Sequence, residues 1–148
     1  MPKSPPKPKA LPIRWQIALG DHIIALAWSP DGAWLAAAEV SGPISLFATA
    51  TGQRCWRVDG HGFGTTALTW RPDGAVLCSA GLDGNIRWWD SATGMECLRL
   101  AGGATWVEQL TWTPGDRTSG ALLASGAGRK LRLWNREGQP VQAYTDTA

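Results

Sequence analysis

Ser79, His61 and Asp83 are the residue types of a nucleophile, a general base and an orienting acid. Acyl transfer through such a set needs an exposed serine, an imidazole within hydrogen-bond reach and an acid behind it. Ser79 instead lies inside the apolar run Ala75-Val-Leu-Cys-Ser-Ala80, without a Gly-x-Ser-x-Gly elbow around it. No nearby Gly-rich loop offers an oxyanion hole. Trp89 completes a different arrangement. Its indole only donates, an ionised Asp83 only accepts, and serine and neutral histidine do both. A chain of bonds from Trp89 to Ser79, Ser79 to His61 and His61 to Asp83 leaves none of these groups stranded. A stranded buried group costs about 1–3 kcal/mol, so the four residues read as a structural clamp, and no residue is expected to be catalytic.

Other chemistries find less support. His22 and His61 lack a third metal ligand, and Cys55, Cys78 and Cys97 show no Cys-x-x-Cys spacing. Paired catalytic carboxylates and phosphate-binding loops are missing too, so neither metal nor cofactor is expected. The formal charge of +2 is too small to argue for nucleic acid. Arg54, Arg57, Arg87 and Arg99 are assigned to outer strands, where neighbouring acids dilute any basic patch. Residues 1–12, MPKSPPKPKALP, read as an extended Pro/Lys-rich tail rather than a signal peptide or a membrane span. Odd cysteine usage without an export signal suggests a reducing cytoplasm and no membrane partner.

These residues sit on a repeat. Trp28, Trp70 and Trp112 stand at intervals of 42, as do Pro30, Pro72 and Pro114. Asp31-Gly32 recurs as Asp73-Gly74, Thr51-Gly52 as Thr93-Gly94, and Cys55 as Cys97. Inside each copy the apolar runs are four to six residues long and bounded by Gly, Pro or Asp. Pro-Asp-Gly is a turn with a mechanism, because proline presets φ and glycine accepts a positive one. No segment sustains a 3.6-residue stripe, so four short antiparallel strands per copy are expected. The third copy departs in its turns, with an expanded Pro114–Gly120 and a shortened Ala127–Lys130.

The pattern over residues 13–144 resembles the WD-repeat family of β-propellers. The second copy carries it best, with Gly60-His61, Trp70-Arg-Pro-Asp-Gly74, Ser79, Asp83-Gly84 and Trp89-Asp90. The resemblance implies an all-β partial propeller of about three four-stranded antiparallel blades plus one N-terminal outer strand. Residues 13–19 would be that lone strand, of the kind that closes a ring, and 20–58, 59–100 and 101–148 the three blades. It also implies that His61, Ser79, Asp83 and Trp89 form the family's structural tetrad. The first copy offers Leu19, Ala37, Ser41 and Phe47 at these positions, and the third Gly103, Ser125 and a basic Arg129-Lys130 turn. Only the middle blade can build the full set, and it should be the most rigid.

In such a fold the loops between blades and between second and third strands share one face. His22, Val40, Phe63, Leu82, Trp106 and Arg129 fall there, a candidate face for a protein partner. Trp106 is either an exposed anchor or packed locally between blades. Trp28, Trp70 and Trp112 are expected to pack between neighbouring blades, with Trp56 and Trp88 facing outward. Propellers close at typically 4–8 blades. The chain is therefore expected to be the N-terminal part of a longer propeller, or to self-associate to close a ring. The implied function is a non-catalytic protein-interaction scaffold; the competing class is an enzyme, or a regulatory subunit of one, whose active groups lie outside this chain.

Overall fold

The computed structural model describes residues 1–8, 10, 12–103, 105–114 and 120–145, with side chains up to residue 141. β1 (Ile23–Trp28), β2 (Trp34–Glu39), β3 (Ile44–Ala48) and β4 (Arg54–Val58) form the first sheet in chain order. β5 (Thr65–Trp70), β6 (Val76–Gly81), β7 (Asn85–Asp90) and β8 (Glu96–Ala101) form the second. β9 (Gln109–Trp112), β10 (Leu123–Ala127), β11 (Lys130–Trp134) and β12 (Pro140–Thr145) form the third. Every pairing is antiparallel between chain neighbours, so each sheet is a meander and the barrel is not closed.

The repeat extends to backbone irregularities. The third-to-fourth strand pairing shifts register at Leu46/Phe47, Trp88/Trp89 and Leu133/Trp134, one equivalent place in each sheet. Gly32 and Gly74 both adopt φ +73° in the turns after β1 and β5. Asp31 and Asp73 cap those turns by accepting the amides of Ala33 (2.9 Å) and Ala75 (3.0 Å). The expanded third-copy turn falls on residues 115–119, outside the described residues.

Burial between sheets follows from one exchange of shapes. The first sheet presents small residues, Ala36 and Ala38, beside Ile44 and Leu46; Trp70, Leu77 and Trp89 of the second fill that face. The second presents Cys78, Ala80, Ile86 and Trp88 to Trp112, Leu123 and Trp134 of the third. Each inserted indole also finds an acceptor across the junction. Trp70 Nε1 donates to Ala27 O (3.0 Å) and Trp112 Nε1 to Cys78 Sγ (3.4 Å). Trp112 further meets Trp88 edge to face, with ring centroids 5.6 Å apart.

Three expectations need correction. Trp70 and Trp112 are each 6% exposed, whereas Trp28 is 58% exposed, because no sheet among the described residues packs on its side of the first. Trp88 is buried rather than outward, since β7 is a central strand flanked by sheets on both sides of its neighbours' core. Arg87 likewise lies on the third strand, β7, not on an outer one, and bonds Asp83 (3.0 Å) across its own turn.

Residues 13–19 form no strand, because no third strand lies beside them to share a ladder. They nonetheless take up a familiar position. Trp15 Nε1 donates to Thr49 O (2.7 Å), and its indole covers Gly52, where a Cβ would come within 2.7 Å of the ring. Trp56, on the fourth strand β4, does the same to the next sheet: its Nε1 reaches Ser91 O (2.8 Å) and its indole covers Gly94. Trp15 thus stands to the first sheet as a fourth-strand tryptophan stands to the second.

This packing predicts an asymmetry between equivalent residues. In chemical denaturation of the chain, Trp70→Ala lowers stability by about 3–5 kcal/mol. Trp28→Ala, at the exposed equivalent, costs less than about 0.5 kcal/mol.

Candidate functional site

The clamp is assembled by two strands of the second sheet, the turn between them and the loop ahead of its first strand. Ser79 lies in the middle of β6, Trp89 on β7, Asp83 in the turn between them, and His61 in the loop preceding β5. Trp89 Nε1 donates to Ser79 Oγ (2.8 Å), and Ser79 Oγ lies 2.7 Å from His61 Nε2. His61 Nδ1 lies 2.9 Å from Asp83 Oδ1. The carboxylate only accepts, so the proton belongs on Nδ1 and the serine hydroxyl donates to Nε2. Every donor in the series then has one acceptor.

Access excludes a nucleophilic role for this serine. Ser79 is 0% exposed and His61 2%, and Trp89 covers the hydroxyl oxygen that would attack. Gly81 makes room for the imidazole: a Cβ there would lie 2.3 Å from His61 Cβ. Asp83 also accepts from the Asn85 amide (3.1 Å) and Arg87 (3.0 Å), which fixes the turn as well as the ring. Burial pushes His61 below its ordinary 6.5 although the Asp83 hydrogen bond opposes this. For Asp83 burial acts upward, but hydrogen bonds from His61 and Asn85 prevail and hold the carboxyl below 3.8.

The other sheets solve the same problem with residues that the 42-residue comparison did not single out. In the first sheet Glu39 stands where the second has Gly81; it is buried, and its Oε1 accepts the Asp21 amide (2.7 Å). The loop ahead of β1 is thereby tied to the end of β2 without a histidine. In the third sheet Trp134 Nε1 still donates to Ser125 Oγ (2.9 Å). The Arg132 guanidinium lies over Gly103, the His61 equivalent, close enough that a Cβ there would fall 2.4 Å from Cζ. Thr65 adds a link between sheets. It accepts the His61 amide (3.3 Å) and donates to Gly42 O (2.6 Å) in the β2–β3 turn.

The six residues of the candidate partner face lie along these same loops. Phe63, Leu82 and Trp106 come together with Thr105 around one hollow of about 450 Å³. Phe63 is 88% exposed and Trp106 56%, so Trp106 is not packed away between sheets. Val40 lies beside them, its carbonyl 2.6 Å from where a Cβ on Gly64 would stand, and its amide bonds His22 O (2.8 Å). Arg129 is exposed next to Gly128, which lines a second hollow with Trp106. Phe63 has φ +68°, unusual for a bulky residue, and is held between Gly62 and Gly64. Glu108 and Thr105, absent from the six, also line this face; an acid flanking a tryptophan gave no periodic signal.

Two outcomes follow for the clamp. Ser79→Ala strands Trp89 Nε1 and His61 Nε2, at about 1–3 kcal/mol for each, read as a lowered denaturation midpoint. Because His61 binds a proton less readily folded than unfolded, stability is complete above pH 6.5 and declines as pH falls from there toward the folded value. Thermal melts between pH 8 and pH 5 should show that decline, and His61→Gln should remove it.

Two family models match this chain: the anaphase-promoting complex subunit 4 WD40 domain over residues 48–115, and the WD domain, G-beta repeat, over residues 16–42. No match was found among curated protein sequences. Solved structures of similar fold include U3-55K and the RRP9 WD40 repeats, each at 19% identity and TM-score 0.79 over 87% of this chain. The chain spans only 41% and 40% of the length of those two. The computationally designed Ika4 protein is similar at 25% identity and TM-score 0.71, over 86% of this chain and 74% of its own. Taken with the three meander sheets, the chain belongs to the WD40-repeat family of β-propellers.

Proposed function

We propose that this chain is a non-catalytic interaction scaffold, a part of a larger β-propeller that binds a protein partner through its loop face. The observation that carries the reading is the hollow formed by Phe63, Leu82 and Trp106. Two large aromatic side chains are held in water there, one on a backbone conformation that costs of order 1–3 kcal/mol. Neither contributes to the packing between sheets. Aromatic anchors in a desolvatable hollow are the usual carriers of binding energy at protein interfaces. WD40 repeats as a class mediate protein–protein contacts, and the model matching residues 48–115 describes the domain of a complex subunit. No helix among the described residues is long and apolar enough to cross a membrane.

Support for a larger propeller comes from the first sheet. Ile23, Ile24, Leu26 and Trp28 are all exposed on it, and the Gly52 seat is already filled by Trp15. The exposed side of the first sheet would accept a further sheet of three inner strands, with residues 13–19 as its outer fourth. Three strands supplied by further sequence fit this vacancy better than a second copy. A copy's third sheet brings its own β12, which would compete with Trp15 and offers Gln142 where β4 has Trp56.

The test combines stability with capture. Phe63→Gly and Trp106→Ala should leave the melting temperature unchanged or slightly raised, since φ +68° suits glycine and Trp106 is exposed. Both should abolish recovery of proteins that the unaltered chain retains from cell extract. Equal recovery by the variants would remove the loop face from the function.

A further inference from the structure

Trp106 is the shared wall of two hollows. It borders one of about 450 Å³ together with Phe63 and Leu82. It borders another of about 300 Å³ together with Glu108 and Gly128. Among the described residues, the first hollow has no charged lining residue. In the second the only charged lining residue is Glu108, which is exposed and has no ion pair among the described residues. The cations that follow Gly128 are Arg129 and Lys130. Lys130 is turned back, its Nζ donating to Gly103 O (3.3 Å), and neither residue lines the hollow.

From this pairing we infer that the loop face takes an extended segment of its partner that places an apolar side chain and a basic side chain astride Trp106, the basic one against Glu108. The inference rests on the loop face being the binding surface. Side chains two residues apart on a strand project from the same side, about 6–7 Å from each other. That spacing straddles an indole. The apolar member is desolvated by Phe63, Leu82 and one face of Trp106. The basic member lays its aliphatic stem along the opposite face, where the ring attracts the cation, and its head reaches the carboxylate. An acidic residue in that place would meet Glu108 with like charge. The hydroxyl of exposed Thr105, common to both hollows, is available to the peptide backbone that passes over the indole.

Short peptides test this directly. Two labelled probes, Gly-Ser-Leu-Ser-Lys-Ser-Gly and its counterpart with Glu for Lys, are titrated into the isotope-labelled full chain. Binding is followed at the Trp106 indole signal and by fluorescence anisotropy of the probe. The unaltered chain should prefer the Lys probe by about three- to tenfold. Glu108→Lys should reverse the order, and Glu108→Gln should bring the two probes to parity. Trp106→Ala should weaken both. Equal affinity for the two probes, or a preference that survives Glu108→Lys, overturns the assignment of the basic side chain. In that event, loss of Leu-probe binding on Trp106→Ala still supports the loop face. If neither probe shifts the Trp106 signal, the loop face itself is wrong and this inference falls with it.

Discussion

The structure depends on a tryptophan entering a face of small residues on the sheet before it. Trp70 reaches over Ala36 and Ala38, and Trp112 over Cys78 and Ala80. Each sheet is an isolated four-stranded meander with two apolar faces, and none could bury both alone. The insertion fills one sheet's hollow face with the next sheet's bulk, and the indole N–H is satisfied by Ala27 O or Cys78 Sγ in the same step. The same contact makes the assembly directional. A sheet gives its tryptophan backward and its alanines forward, and Trp28, the equivalent tryptophan of the first sheet, stands exposed.

Packing of this kind leaves the loops between sheets without a core of their own. Polar bonds hold them instead, and the three sheets show how far their chemistry can vary around one geometry. In the second, His61 bridges Ser79 and Asp83; in the first, Glu39 reaches the Asp21 amide; in the third, the Arg132 guanidinium covers Gly103 while Ser125 keeps its bond to Trp134. What recurs is a polar side chain set between the loop before the first strand and the strands behind it, on the second strand for Glu39 and on the third for Arg132. A separate polar staple ties the lower turns of the second and third sheets. Asp73 there accepts from Arg136 (2.6 Å) and Arg71, and Arg71 lies 5.9 Å over the Trp88 ring. Burial raises the Asp73 carboxyl, but the Arg71 and Ala75 hydrogen bonds outweigh it and keep it below 3.8.

How much of this the sequence disclosed depended on whether a feature repeats. The strands and the Pro-Asp-Gly turns recur at a fixed interval, and their alternation is a property of each segment alone. The four clamp residues could be paired on donor and acceptor chemistry before any geometry was known. Trp28 shows the boundary of that reasoning: its equivalence to Trp70 is plain from spacing, but its burial depends on a neighbour that spacing does not supply. Trp88 fails differently. Its side of β7 faces the third sheet's Trp112, and strand alternation gives two faces without saying that both are covered. Glu39 was silent because it replaces a residue of another kind, Gly81, so a search for the repeated type passes over it; Arg132 faces Ser125 as Arg87 faces Ser79, and its type repeats while its place over Gly103 does not. The family resemblance made residues 13–19 a strand, yet a strand exists only with a partner to pair with.

The loop face illustrates why displayed and folding residues separate in such a protein. The clamp enters this loop at His61, and beyond it the chain turns through Gly62, Phe63 and Gly64, where the Phe63 side chain has no burial to protect. Gly64 is confined by Val40 O on one side, and Gly60 by Gly42 O on the other, so the loop path is fixed by backbone against backbone. A side chain carried on that path is free of packing constraints, and only its own φ has to be tolerated. Phe63 accepts an unfavourable φ without gaining burial, a cost that the fold does not require of it. The rigid part of the molecule therefore sets where Phe63 and Trp106 stand, while their identities contribute nothing to holding it together. That division lets one scaffold keep its inter-sheet tryptophans and vary what its loops display.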